Sequence, residues 1–377
     1  MKRLLLAGMM AVGVVALACS DPSSPSPVQN AAVVNSGNSG GAPRIAVFTQ
    51  NLYVGADVDA IVEAIGSGDP NAAFQALANA VATLHRTSFP TRASAIVDEI
   101  ARTRPDVVGF QEGSKIDVDL TPLGVPLVAH EDFLATLQTA LAARGLGNYA
   151  VVDTITNIQV SLLSGLVTLI DYDIMLVNSD RVAVSSHFKK NFDHNNGLFG
   201  GINFIRGYIE AMVTVDGRDY VVVTTHTEGT DLTQAGIDYH QLHAQQMQEI
   251  VDLVNRSERP AIVMGDLNDS DTSPMYQVML DGGFTDLWAA LRPGVEGVTY
   301  GHLADLSDPH PRLGRFEQRI DYIFTRGFDH GGRAVTGQIT RYGLLKSDQL
   351  AGPAGTIWPS DHVGLEATLV TPAAALK

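Results

Sequence analysis

The chain has 377 residues, a formal net charge of −16 and one cysteine. That balance excludes a broad electrostatic grip on duplex nucleic acid, which needs a basic face, though not a nuclease whose site cation recruits phosphate locally. A lone cysteine excludes an internal disulfide.

The first 18 residues read as an export signal. Lys2 and Arg3 open it, an apolar run from Leu4 to Ala18 follows, and Ala16-Leu17-Ala18 supplies a small-residue cut site. The run is short for a bilayer span, which takes about 20 apolar residues. Cys19, directly after the cut, gives the segment a resemblance to bacterial lipoprotein signals, which implies lipidation of Cys19 and an extracytoplasmic, membrane-anchored protein; plain secretion is the alternative. Residues 19–43, rich in Ser, Pro, Asn and Gly, read as a flexible tether. Without Lys2 and Arg3 the remaining chain stands at −18.

From residue 44 the pattern becomes that of a folded domain, expected to run to 371 before a short tail at 372–377. Two domains would fit the length, but the chemically informative residues run from Asn51 to His362 and must meet, which argues for one. Residues 44–51 read as a strand ending in Asn51. Helical spacing follows within 71–85 and again over 91–104, where Ile96, Val97 and Ile100 share a face and Pro105 closes the helix. Residues 106–112 form a second strand candidate, ending in Glu112. Residues 131–144 read as a helix, and strand candidates crowd together at 149–154, 159–170, 173–178, 206–215 and 220–226. A long helix over 235–255 leads to a strand at 261–266, with late strands at 320–325 and 362–369. Segments 113–126, 191–203 and 301–315, rich in Gly, Pro and His, read as long loops walling a site. The mixture predicts an α/β fold with helices outside two mixed sheets.

Polar residues stand where buried strands end. Gly265-Asp266-Leu267-Asn268 follows an apolar run, and Ser360-Asp361-His362 precedes one. Acids at the mouth of an apolar strand bind hard cations or handle protons. Gly-Asp-x-Asn is also good turn chemistry, and an extended chain would place Asp266 and Asn268 on one side. Residues 162–170 read as a buried strand, His240 and His243 as part of a solvated helix face, and Asp171 and Asp173 as structural or rim residues.

Thr49-Gln50-Asn51, Phe110-Gln111-Glu112, Thr225-His226, Gly265-Asp266-Leu267-Asn268, Arg319-Ile320-Asp321-Tyr322 and Ser360-Asp361-His362 occur in an order that resembles the endonuclease/exonuclease/phosphatase superfamily. The resemblance covers nearly all of 44–369. It implies a four-layer α/β/β/α sandwich with two central mixed β-sheets and a divalent-metal-dependent phosphoester hydrolase. Magnesium, with manganese or another divalent cation as substitute, is then expected at Glu112, Asn51 and Asp361, an oxygen-rich set suited to a hard cation. The resemblance further implies that Asp266 activates water and that Asn268 and His226 contact phosphate. His362 works at the scissile phosphate with Asp321 behind it, and Arg206 either grips phosphate or pairs with a surface acid. It leaves open a nuclease, a phosphatase or a lipid-directed phosphodiesterase of the sphingomyelinase type. A non-catalytic binding protein on the same fold is the alternative from another class, and no protein partner is inferred.

Overall fold

The structure, a computed structural model, describes residues 42–199, 202–229, 237–309, 318–329 and 335–371. The expected signal, nearly all of the tether with Cys19, and the tail lie outside the described residues, as do parts of the loops at 191–203 and 301–315. Among the described residues no helix is long and apolar enough to cross a membrane.

Two sheets form the centre. In the first, the order is Thr336–Tyr342, Gly364–Val370, Arg44–Asn51, Val107–Asp119, Val167–Asn178, Tyr149–Leu162, Ile202–Phe204 and Gly197–Phe199, with Val128–Asp132 added beside Val107–Asp119. In the second it is Thr285–Asp286, Asp321–Arg326, Ala261–Asp266, Arg218–His226, Gly207–Val215 and Ala183–Asn191. Each sheet has one parallel pair at its heart: Arg44–Asn51 beside Val107–Asp119, and Arg218–His226 beside Ala261–Asp266. The other pairings are antiparallel.

Three apolar layers explain why the sheets stack. Ile45, Val47, Val107, Met175 and Val177 of the first sheet meet Ile209, Val213, Val222, Ile262, Met264 and Ile323 of the second. The alternate residues of those strands face outward. Phe48, Val108, Phe110 and Ile174 pack on the helices Phe89–Thr103 and Phe133–Ala143. Val221, Val223, Val263 and Phe324 pack on Tyr239–Val254 and Pro274–Asp281. Period-two alternation with both faces buried requires this helix–sheet–sheet–helix order, the expected four layers. The sheets approach closely at Gly109, where a Cβ would lie 2.3 Å from Thr224 Oγ1.

Several sequence expectations needed correction. The strand begun at Val107 does not stop at Glu112 but continues to Asp119 through a bulge between Phe110 and Gly113, so much of the expected loop 113–126 is sheet. A turn at Leu163–Gly165 breaks the expected strand 159–170, leaving two long antiparallel strands on either side. Leu162, Leu166 and Leu169 are half-buried rather than fully buried. Helices Val58–Gly66, Pro274–Asp281 and Leu287–Leu291 and strands Ala183–Asn191 and Thr336–Tyr342 had no expected counterpart.

Candidate active site

The strand ends bring the separated motifs together. Asn51 closes its strand, fully buried, and donates from Nδ2 to Glu112 Oε1 at 2.9 Å and to Asp266 Oδ2 at 3.0 Å. One amide thereby ties the two sheets. Its Oδ1 accepts the Tyr53 N–H at 2.8 Å. Glu112 sits at the bulge with φ +55° and takes the Val54 N–H on Oε2 at 3.0 Å. Ser360 Oγ donates to the Asn51 carbonyl at 2.7 Å, which brings the Asp361 and His362 segment against the same strand end.

Asp266 is at the centre. Besides Asn51, its Oδ2 has Nε2 of His226 and Nε2 of His362 each at 3.6 Å, while Oδ1 accepts the Asn268 N–H at 3.0 Å. Burial raises its affinity for a proton, with His362 pulling the other way. Gly265 is needed here, because at φ +148° a Cβ would sit 1.9 Å from the Thr225 carbonyl oxygen. The chain then turns, with Asn268 at φ +47° donating from Nδ2 to the Thr227 carbonyl at 3.2 Å. The extended run that would align Asp266 and Asn268 does not occur. The turn instead leaves Asn268 half-exposed at the rim.

His362 is held from Nδ1 by Asp321 Oδ2 at 2.9 Å. Burial alone would strip its proton, but Asp321, Asp266 and Asp361 together outweigh burial and lift the ring pKa well above the imidazole value. It is therefore an imidazolium. His226 is the opposite: burial first, then Arg206, pushes it down to about 4, so it is neutral.

Arg206 is not a solvent-facing clamp. It lies buried behind His226, with Nη1 3.1 Å from His226 Nδ1 and 3.8 Å from Asp171, and Nη2 3.5 Å from Glu228. Asp171 and Asp173, expected as structural or rim residues, are buried inside this network and not at a rim. Asn157 Nδ2 bridges them at 3.1 and 2.8 Å, and burial pushes each up to about 7. His240 and His243 both turn Nδ1 to Asp269, and His243 is buried rather than solvated.

Two oxygen-donor groups fit a hard cation. Asp361 is buried and Glu112 half-buried, and the Glu112 charge works against ionisation of Asp361. His226, the Asn51 amide and His362 outweigh burial and hold Glu112 below the usual carboxylate range. Burial, with Glu112 adding to it, pushes Asp361 up to about 6. Among the described residues neither carboxylate has a Lys or Arg within 4 Å. Two carboxylates with no Lys or Arg within 4 Å, beside Asn51, suit magnesium, which takes one or two protein carboxylates and keeps its waters. A second grouping, Asp266, Asp321 and His362, has ligand atoms within 4.8 Å of one another. There both ring nitrogens already face carboxylates and the ring keeps its proton, so it is a charge-paired triad.

Arg92 went unnoticed in the sequence. Its guanidinium, fully buried, donates to the carbonyls of Leu52, of Tyr53 at 2.9 Å, of Pro359 at 3.2 Å and of Thr87 at 3.2 Å. It pins the segment after Asn51 to the segment before Asp361. The signal was present, since Arg92 falls on the apolar stripe of Phe89, Ala93, Ile96 and Ile100. Asp171 and Asp173 carried the same kind of signal, sharing alternation with the inward-facing Met175 and Val177.

The model of the endonuclease/exonuclease/phosphatase family matches residues 51–362, from the first to the last member of this constellation. The chain belongs to that family. Its members hydrolyse phosphoesters and generally use divalent metals. Among solved structures it is similar to the endonuclease/exonuclease/phosphatase from Beutenbergia cavernae (19% identity, 89% of this chain and 73% of that one, TM-score 0.55). It is also similar to the Bacteroides thetaiotaomicron family protein (16%, 87% and 95%, TM-score 0.54). A third is D. rerio TDP2 complexed with single-strand DNA product (18%, 87% and 99%, TM-score 0.53). At these identities the likeness establishes the fold. Comparison with curated proteins returns no match.

Proposed function

We propose that this chain is a magnesium-dependent phosphoester hydrolase in which water attacks phosphorus in line with the leaving oxygen. The observation that carries the reading is Asp266, a buried carboxylate of raised proton affinity set between an imidazolium and a neutral imidazole. A cation at Glu112 and Asp361, with Asn51 beside them, would neutralise charge on a phosphoryl oxygen. Asp266 orients the attacking water and takes its proton. His362, charged and braced by Asp321, donates to the phosphoryl oxygen on which charge develops. Asn268 at the rim and Nε2 of His226 offer further hydrogen bonds to the phosphate. A non-catalytic binding protein would have no use for a base and an acid held at opposite protonation states.

We also infer an extracytoplasmic location, with the chain anchored through lipidated Cys19, on the strength of the charged, apolar and small-residue order of the first 19 residues. Nuclease activity draws support from the nucleic-acid product bound by D. rerio TDP2; a lipid-directed activity draws it from the anchor. The deciding experiment offers single-stranded DNA, RNA, sphingomyelin, phosphoinositides and nucleotides to wild type and Asp266→Ala with magnesium or chelator. Turnover of one class that disappears in Asp266→Ala and with chelator is the expected result. Equal turnover by the variant would refute the assignment.

A further inference from the structure

We propose that Arg206 is a positioning residue that fixes His226 as the neutral tautomer protonated on Nε2, turning the ring into a hydrogen-bond donor for the phosphate site. This rests on the hydrolase reading for its purpose, but the tautomer itself is a property of the folded chain.

A guanidinium has five N–H groups and no lone pair, so whatever it bonds must accept. Nη1 of Arg206 lies 3.1 Å from Nδ1 of His226. Two donors at that separation would repel, so Nδ1 presents its lone pair. A neutral imidazole has one proton, which is then on Nε2, the nitrogen facing Asp266 Oδ2 at 3.6 Å. Asp173 is the competitor, since a carboxylate near Nδ1 would draw the proton there. Its Oδ1 is farther, at 3.7 Å, and already accepts from Asn157 Nδ2 at 2.8 Å.

Arg206 can do this because it is itself held. Glu228 and Asp171 flank its guanidinium, and its backbone N–H donates to Asn195 Oδ1 at 2.7 Å. Ring burial and the adjacent guanidinium both keep His226 uncharged. The contrast with His362 is instructive. There Nδ1 meets an acceptor, Asp321, so the proton is on Nδ1 and the ring takes a second one on Nε2. The two rings approach Asp266 through the same atom and at the same distance, one charged and one neutral. Proton transfer falls to His362, and His226 contributes a fixed dipole that needs no rearrangement during reaction.

The test is a two-bond 15N–1H correlation spectrum of 15N-labelled full-length protein, with His226 assigned from its disappearance in His226→Gln. At neutral pH and without substrate, wild type should show a protonated Nε2 and a bare Nδ1. Arg206→Met removes the donor and should move the proton to Nδ1, toward Asp173, with kcat lowered about 10²–10⁴-fold and KM changed far less. Arg206→Lys keeps a donor and should retain the Nε2–H signature. A wild-type ring that is protonated on Nδ1, or is an imidazolium, would overturn the proposal even if Arg206→Met does not fold. So would a folded Arg206→Met with an unchanged spectrum. A wild type that hydrolyses no phosphoester while showing the Nε2–H ring would sink the hydrolase reading and leave the tautomer standing.

Discussion

The two sheets deliver their site residues by different means. In the second sheet, regular alternation is enough. Tyr220, Val222, Thr224 and His226 face inward along one strand, Ile262, Met264 and Asp266 along the next, and Asp321 and Ile323 along the third. His226, Asp266 and Asp321 stand in register across three neighbouring strands without an irregularity. In the first sheet, alternation delivers Asn51 but would send Glu112 outward with Val108 and Phe110 toward the helices. The bulge after Phe110, with Glu112 in the left-handed region, returns that carboxylate to the site. Asp361 comes from a segment outside the strands, which Ser360 ties to the Asn51 carbonyl and Arg92 ties through Pro359 to Leu52. Proton handling thus rests on regular strands for Asp266, His226 and Asp321, with His362 brought to Asp321 from the segment before Gly364–Val370. The cation site rests on a bulge and loops held by a buried cation. Strained backbone at Glu112 and Asn268 marks the places where the fold yields to function.

That division can be broken one half at a time. The largest effect is expected at the ring that Asp321 of the second sheet holds. His362→Ala should lower kcat about 10²–10⁴-fold on whichever phosphoester the panel identifies, with an unchanged circular dichroism spectrum and a retained magnesium-dependent rise in Tm. Loss of the magnesium response in that variant would show the halves to be inseparable. Glu112→Gln should do the reverse. Its magnesium-induced shift in Tm should need at least 10–100-fold more metal, the penalty for losing even a partner of a ligand, while the tautomer of His226 stays put.

Arg92→Met tests whether the first half depends on its clamp. Leaving the carbonyls of Leu52, Tyr53, Pro359 and Thr87 without that donor should cost about 3 kcal/mol in urea unfolding and weaken the magnesium response. Unchanged metal response in a folded variant would remove Arg92 from any role beyond stability.

The smallest effect concerns Asp171 and Asp173, each pushed up to about 7 by burial. Between the ordinary carboxylate range near 4 and about 7, the folded chain holds protons there that the unfolded chain has released. Stability of the metal-free protein therefore falls as pH rises through that window and levels off above it. Asp173→Asn should flatten the fall, read as Tm against pH, and should not lie below wild type at the alkaline end. A slope equal to that of wild type would assign the dependence elsewhere.

Much of this architecture was legible beforehand, for reasons visible in particular residues. The apolar strands ending in Asn51, His226 and Asp266 advertised themselves because period-two burial puts an out-of-place polar group at a predictable spot. Long β-strands with interruptions were harder: the turn at Leu163–Gly165 lies within an apolar stretch, and the bulge at Glu112 has no composition signal. Arg92, Asp171 and Asp173 were readable only once each was set against the apolar positions it shares.

By itself, the order of residues determined the layers, the strand ends and the chemical types gathered at them, since those follow from local periodicity and side-chain polarity. Three things were decided only by the tertiary structure: which way Glu112 points, what Arg206 bonds to, and which of two histidines carries charge. Each depends on the distance between groups far apart in the chain, and protonation at a buried imidazole is set by whether its neighbour donates or accepts.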